Sequence, residues 1–360
     1  MSAPHSSVGP SAFRVALTAD FYDGAKPKYD DFGLSVFEAH PQIAYQAFAE
    51  HRPQITAEQL RGANGVIVLT PAVTADSVSD AADLLAVGRF GVGYDAVDVK
   101  ACTAADVAVY ITAGAVDRSV AEATVGWMLA LTHQMRIKDR LVREARWDER
   151  SQYMGRELRD RTFGAVGFGG IARATIGLLS GFGMRQPLTF DPFVTPEFAA
   201  EHGARFVDLD ELLATADFVS IHCPLTPGTR GLIGSAQLSK MKPSAYLINT
   251  ARGGIVDEEA LAVALRERRI AGAALDCFAT EQLREPHPLH DVDNILFAPH
   301  CIAWTGELFR DIGRAVCQGM VDLSLGKKPH GVVNPEVFER PGFQAKWARL
   351  RATSSGAGLK

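Results

Sequence analysis

The stretch Thr162-Phe163-Gly164-Ala165-Val166-Gly167-Phe168-Gly169-Gly170-Ile171-Ala172 leaves this chain few folds to choose from. A short apolar run meets a glycine turn, and the turn opens a helix. Gly167-x-Gly169-x-x-Ala172 fits the G-x-G-x-x-G/A pattern of a dinucleotide-binding strand–turn–helix. Gly167 permits the tight turn, Gly169 lets backbone approach a pyrophosphate, and Ala172 lets helix and strand pack closely. Gly170 and Ile171 begin the helix, whose first N–H groups and positive dipole end form an anion site. Ile171, Thr175, Leu178 and Phe182 recur at helical spacing, and Gly183 is placed to cap the helix. Leu188-Thr189-Phe190 then predicts a second strand, ended by Asp191-Pro192. An acid about 20 residues beyond the glycines is the expected partner of an adenosine ribose hydroxyl. A glycine turn in an ordinary strand–helix–strand unit explains the glycines alone; Asp191 tips the balance to a bound dinucleotide.

The chain has 360 residues, enough for two domains with separate cores. Its 47% apolar and 22% charged residues describe a globular protein. The net charge of −5, with no block of Lys or Arg, points away from nucleic acid and anionic membranes. No apolar run is long enough to predict a membrane span. Met1–Ser11 lacks the cationic start and apolar core of a signal peptide and predicts a frayed tail. Cys102, Cys223, Cys277, Cys301 and Cys317 are scattered and odd in number, as for reduced thiols in the cytoplasm. Their spacing predicts no metal site.

Along the chain, Phe13–Thr18, Gly65–Leu69, Leu84–Val87 and Val107–Ile111 predict buried strands, with helical patterning over residues 34–50. Gly91-Val92-Gly93-Tyr94-Asp95 is a glycine-flanked turn whose amides could face a ligand, or a loop that merely needs unusual dihedrals. Ser119-Val120-Ala121-Glu122 has capping-box spacing, ahead of a helix predicted to run past Arg136 with Thr124, Trp127 and Met128 on its core face. Residues 146–160 predict a crossing loop. Beyond Asp191, strands are expected at Phe206-Val207, Phe218–His222, Ala245–Asn249, Ala271–Leu275 and Ile295–Ala298, with Asp257 capping a helix over 258–268. A long helix near 304–325 and a poorly ordered tail over 341–360 complete the pattern. This alternation is that of open parallel sheets with helices on both faces.

In such sheets ligands bind beyond the carboxyl ends of the strands. Thr250-Ala251-Arg252-Gly253-Gly254, Asp276, Glu281 and Pro299-His300 all lie there. Singly, each has a dull explanation: a surface charge, a cap, a structural histidine. Together they offer a planar fork for a carboxylate, a proton-exchanging imidazole and an acid to orient it.

These residues sit in longer motifs. They are Gly91–Asp95, Ser119–Gly126, the fingerprint through Asp191-Pro192, His222-Cys223-Pro224-Leu225-Thr226-Pro227, Ile248–Asp257, Ala274-Leu275-Asp276-Cys277-Phe278 and Ala298-Pro299-His300. In this order they resemble the D-isomer-specific 2-hydroxyacid dehydrogenase family, over residues 84 to 335. The resemblance implies two doubly wound parallel-sheet α/β domains, a Rossmann NAD-binding domain (116–304) inserted into a flavodoxin-like substrate domain (1–115 plus 305–340), with a tail over 341–360. It implies an active site in the cleft between them, a homodimer, NAD as cofactor and a small 2-keto or 2-hydroxy acid as substrate.

It also implies roles. Arg252 would bind the substrate carboxylate, Glu281 and His300 would be the acid/base pair, and Asp276 would hold the nicotinamide carboxamide. Val92 and Gly93 would hold the substrate by their backbone. Gly167, Gly169, Gly170, Ile171, Asp191, Pro192, Thr124, His222, Cys223, Pro224, Thr250 and Ala251 would line the cofactor. The same family includes phosphite-oxidising members and NAD-sensing corepressors, and both stay open as alternatives. Four places depart from the family pattern. Arg185–Phe190 is one residue long and contains Pro187; Ile111-Thr112-Ala113-Gly114 replaces a common Asn-Thr-Pro-Gly; Gln282 follows Glu281 where proline is usual; Cys301 replaces an aliphatic residue.

Overall fold

The structure, a computed structural model, describes residues 13–283 and 286–355. The predicted frayed tail Met1–Ser11 lies outside them. The chain divides into two compact units, one from the residues up to Val116 together with those from Thr305 onward, the other Asp117–Trp304.

The first unit holds β1 (Phe13–Leu17), a small antiparallel ribbon of β2 (Tyr22–Asp23) and β3 (Lys26–Pro27), then β4 (Ile43–Ala47), β5 (Gly65–Val68), β6 (Ala86–Arg89) and β7 (Ala108–Ile111). The main sheet is parallel throughout, in the order β4-β1-β5-β6-β7, the flavodoxin-like winding. Strands β5 and β7 are buried along nearly their whole length, as apolar β-branched runs covered on both faces should be. Tyr110 of β7 crosses to the long helix Gly306–Ser324 and donates to the Val316 carbonyl at 2.6 Å. A Cβ on Gly88 or Gly319 would collide with its ring, so both glycines clear the path of that side chain.

Two expectations fail in this unit. Residues 34–50 are not one helix: a single turn, Ser35–Glu38, precedes β4. Ile43 and Ala47 are buried and Gln46 is exposed, so an edge strand with one covered face mimicked helical spacing. Over its described part the tail is not loose either, because Pro341–Ser355 is helical; residues 356–360 lie outside the described residues. Phe343 and Trp347, four apart, bury against Phe338 with ring centroids 4.9 to 5.7 Å from one another. The other anchors are polar. Trp347 Nε1 donates to the Leu323 carbonyl at 2.8 Å, and Lys346 Nζ donates to the Ala81 and Ala105 carbonyls, each at 2.7 Å.

The second unit holds β8 (Phe163–Val166), β9 (Leu188–Phe190), β10 (Arg205–Phe206), β11 (Phe218–Ile221), β12 (Tyr246–Asn249), β13 (Gly272–Leu275) and β14 (Ile295–Phe297). They pair in parallel as β10-β9-β8-β11-β12-β13-β14, with the winding reversing at β8 and β11 as in a Rossmann sheet. Alternate residues feed two cores, one on each face. Leu247 and Ala273 join Val219 and Leu261 on one side, while Ile248 and Ala274 join Phe163, Trp127 and Met128 on the other. Pro187 does not disturb β9, which begins one residue later; the proline carbonyl still accepts from Arg205 N at 2.8 Å.

The predicted capping box at Ser119 is not a cap. The helix already begins at Asp117 and ends at Thr132, where Gln134 turns left-handed (φ 54°) before a second helix, Met135–Arg143. The expected crossing loop over 146–160 contains a 3-10 turn at Trp147–Gln152. Among the described residues no helix is long and apolar enough to cross a membrane.

Candidate active site

The glycine turn sits between β8 and the helix Gly170–Leu179 at the reversal point of the second sheet. Gly167 has φ +96°, and a Cβ there would lie 2.7 Å from Cys223 N and 2.8 Å from the His222 carbonyl carbon. The loop after β11 thus closes on the turn. At Gly169 a Cβ would meet nothing within 4 Å, leaving an open face at the helix N-terminus. On Gly170 it would overlap the Asp117 carboxylate. Ala172 is fully buried. Asp191 faces this turn from the end of β9: Oδ2 accepts from Phe168 N at 2.8 Å and Oδ1 from Phe193 N at 2.9 Å. A bare backbone cradle, a helix dipole and a carboxylate at the next strand end fit a dinucleotide.

Around this cradle the other expected cofactor residues differ in readiness. Thr250 Oγ1 and His222 Nε2 are buried with no hydrogen-bond partner among the described residues. Burial pushes the Cys223 thiol up to about 11. Thr124 is fully buried, and its hydroxyl donates to the Val120 carbonyl at 2.9 Å within its own helix.

Burial pushes the His222 imidazole down to about 4 from 6.5. The folded form is neutral, so unfolding takes up a proton below the ordinary histidine range. His222 should therefore withdraw stability as pH falls from 6.5 to about 4, up to about 3 kcal/mol in all. Urea midpoints at pH 7 and pH 5 check this. His222→Gln should shrink the difference between them, and an unchanged difference would refute it.

The second cluster lies beyond β12, β13 and β14. Asn249, buried at the end of β12, ties the loop that carries Arg252: Nδ2 donates to the Arg252 carbonyl at 2.8 Å, and Oδ1 accepts from Ala251 N at 3.0 Å. Arg252 itself donates from Nη1 to the Ala251 carbonyl at 2.7 Å. After β13, Asp276 organises the loop that follows β14. Its carbonyl accepts from His300 N at 2.8 Å, and its Oδ1 accepts from Cys301 N and Ile302 N at 2.9 and 3.1 Å. Burial raises the Asp276 carboxyl above its usual range, against those two amides and the His300 charge.

These bonds hold His300 in a left-handed conformation, φ 55°. For a non-glycine residue that costs on the order of 1–3 kcal/mol. The ring then meets Glu281, Nδ1 to Oε1 at 3.0 Å, with both side chains about half exposed. Gln282 has φ +63°, which proline cannot adopt, so the missing proline is required by this loop.

Val92 and Gly93 belong to the first unit, after β6. Gly91 has φ +133°, and its carbonyl accepts from Thr112 N at 3.0 Å. The N–H groups of Val92 and Gly93 find no partner among the described residues.

Two supporting residues were not foreseen. Asn249 is legible as a polar residue closing an apolar strand, but its two bonds are not. Glu258, in the first turn of the helix that Asp257 caps, accepts from Ala279 N at 2.6 Å and meets His287 Nε2 at 3.2 Å, which steadies the loop of Glu281.

Residues 125–301 match the family model for the NAD binding domain of D-isomer specific 2-hydroxyacid dehydrogenases. A D-3-phosphoglycerate dehydrogenase of Rattus norvegicus is 37% identical over 327 residues, 90% of this chain and 59% of the rat protein. A glyoxylate reductase of Korarchaeum cryptofilum is 34% identical over 319 residues, 87% of this chain and 96% of that protein. The crystal structure of a glyoxylate reductase from Paecilomyes thermophila matches with a TM-score of 0.76 at 26% identity, over 91% of this chain and 99% of that one. The chain spans little more than half the length of the phosphoglycerate dehydrogenases that it matches.

Proposed function

This chain belongs to the D-isomer specific 2-hydroxyacid dehydrogenase family, and from that premise we propose that it interconverts a D-2-hydroxy acid and its 2-keto acid with NAD. The observation that carries the proposal is the His300–Glu281 contact of 3.0 Å, at strand ends neighbouring the loop of Arg252. When bound, the nicotinamide of NAD is the hydride donor or acceptor for the substrate C2.

The chain's own residues do the rest. The Arg252 guanidinium forks onto the substrate carboxylate and polarises the keto oxygen. In the first unit, the N–H groups of Val92 and Gly93 are donors suited to an anion. In reduction, His300 gives its proton to the forming alkoxide; in oxidation it takes the hydroxyl proton. Glu281 orients the ring through Nδ1. Asp276 fixes the loop beneath His300 and supplies an acceptor for the carboxamide. The turn at Gly167, Gly169, Gly170 and Ile171 takes the pyrophosphate. Asp191 and Pro192 take the adenosine ribose, and His222, Cys223, Pro224, Thr250 and Ala251 line the rest of the cofactor. For Thr124 the support is weaker, since its hydroxyl proton is engaged in its helix.

NADH oxidation with glyoxylate, hydroxypyruvate, pyruvate and bulkier keto acids tests the reading, with phosphite plus NAD as a further arm. NADH binding without turnover of any of them would refute it and favour a sensing role.

NAD should be preferred to NADP, because the Asp191 carboxylate repels a 2′-phosphate. Catalytic efficiencies for the two cofactors check this: Asp191→Ala should narrow the preference, and equal efficiencies in the parent would contradict it.

We also propose a homodimer and a cytoplasmic location. Met135, Val142, Trp147 and Met154, all at least half exposed, crowd one short segment of the second unit, and such patches are usually covered. Sedimentation equilibrium should give twice the chain mass of 38.8 kDa. Scattered thiols suit a reducing compartment.

A further inference from the structure

We propose that Cys277, Glu281 and His300 form a site for a thiophilic divalent cation, with Zn²⁺ as the type ion, and that its occupation switches off the acid/base pair. One sulfur, one carboxylate oxygen and one imidazole nitrogen lie within 4.8 Å of one another. Sequence spacing could not reveal this set, because its members come from two separate strand ends. The set is assembled by the bonds that build the site. Asp276 draws the loop after β14 onto the end of β13, which sets Cys277, the next residue, beside His300. Cys277 is buried, and its Sγ lies 3.5 Å from the Ala251 carbonyl, which fixes its direction. Glu281 and His300 are half exposed, so the ion has a way in and the two ligands have room to move.

A thiolate, an imidazole and a carboxylate are the donors that zinc takes, and three protein ligands leave a fourth position for water. With Zn–S about 2.3 Å and Zn–N about 2.0–2.1 Å, tetrahedral donors stand roughly 3.3–3.6 Å apart. A contraction of about 1 Å, by the two exposed side chains toward the fixed sulfur, therefore closes the site. Magnesium and calcium, which prefer oxygen, are poor occupants. Binding releases the thiol proton to solvent, along with any proton shared by imidazole and carboxylate. No electron is transferred. His300 bound to the ion through one ring nitrogen keeps on the other only the N–H of a neutral imidazole, too weak an acid to give it up and with no lone pair left to take one, so turnover stops. This last consequence rests on the acid/base reading of His300; the binding does not.

Cobalt(II) titrated into the full chain, in a phosphine reductant, separates the two claims. A near-ultraviolet thiolate-to-cobalt band should appear in the parent and in Cys301→Ser, and Zn²⁺ should abolish it. In Cys277→Ser the band should be absent and Zn²⁺ affinity at least about tenfold weaker. NADH oxidation should persist in Cys277→Ser, while the Zn²⁺ concentration for half inhibition rises by the same factor. No band in the parent, or a band and affinity unchanged in Cys277→Ser, overturns the site. A band with turnover untouched by saturating Zn²⁺ keeps the site and instead overturns the role given to His300. Should Cys277→Ser fold poorly, Glu281→Gln repeats the test: the band stays and Zn²⁺ affinity drops, and an unchanged affinity counts against the site.

Discussion

His300→Ala should lower turnover of the folded protein by roughly two to four orders of magnitude, the usual loss when a general acid is removed. Glu281→Gln keeps the shape at 3.0 Å from Nδ1 but removes the carboxylate that orients the ring. It should lower turnover by less than His300→Ala does and leave substrate binding nearly intact. Because His300 is left-handed, alanine adds backbone strain. His300→Asn, which tolerates that conformation, is the better control. A purely structural histidine makes the opposite forecast: stability drops and the rate per folded molecule holds. Turnover in both directions, corrected for folded fraction, decides. Unchanged turnover in Glu281→Gln would mean that the two residues are not a working pair.

Arg252→Ala should cost roughly two to three orders of magnitude in kcat/KM, as when one partner of a hydrogen-bonded charge pair is truncated. Unlike the histidine change, it should raise KM for the keto acid as well as lower kcat. Arg252→Lys should recover only part of the loss, since an ammonium keeps the charge without the fork. The loop should stand in both variants, because Asn249 holds it through the backbone of Ala251 and Arg252. Steady-state kinetics over a keto-acid series, with unchanged NADH affinity as the control, test this. A kcat effect with KM unmoved would remove Arg252 from carboxylate binding.

Much of the second unit was legible in the chain because its signals are local. Glycines at 167 and 169, an acid at 191 and apolar runs at β8, β11, β12 and β13 each announce themselves within a few residues. The pair Glu281 and His300 was legible only through motifs, since nothing in a spacing of nineteen residues requires contact. What stayed hidden depends on partners far along the chain. β4 looked helical because only its end residues are buried, and the helix after Pro341 looked loose because its anchors are a lysine and an indole donating to distant carbonyls. The left-handed turn at Gln134 splits a helical pattern with no glycine or proline to mark it. Asn249 and Glu258 are unremarkable residue types, given meaning only by the loops they tie.

The first unit is built from two stretches of chain with the whole of Asp117–Trp304 between them. Its sheet is finished by β7, yet the helix that covers β5 and β6, and receives the Tyr110 hydroxyl, starts only at Gly306. On a ribosome the five strands of the first sheet must therefore wait, one face uncovered, for on the order of 10–40 s while the second unit is made. The second unit has no such delay, because everything it needs is consecutive. The unit that comes first in sequence is thus the last to be completed, and during that interval its exposed apolar strands are the part of the newborn chain most open to chaperones and to aggregation.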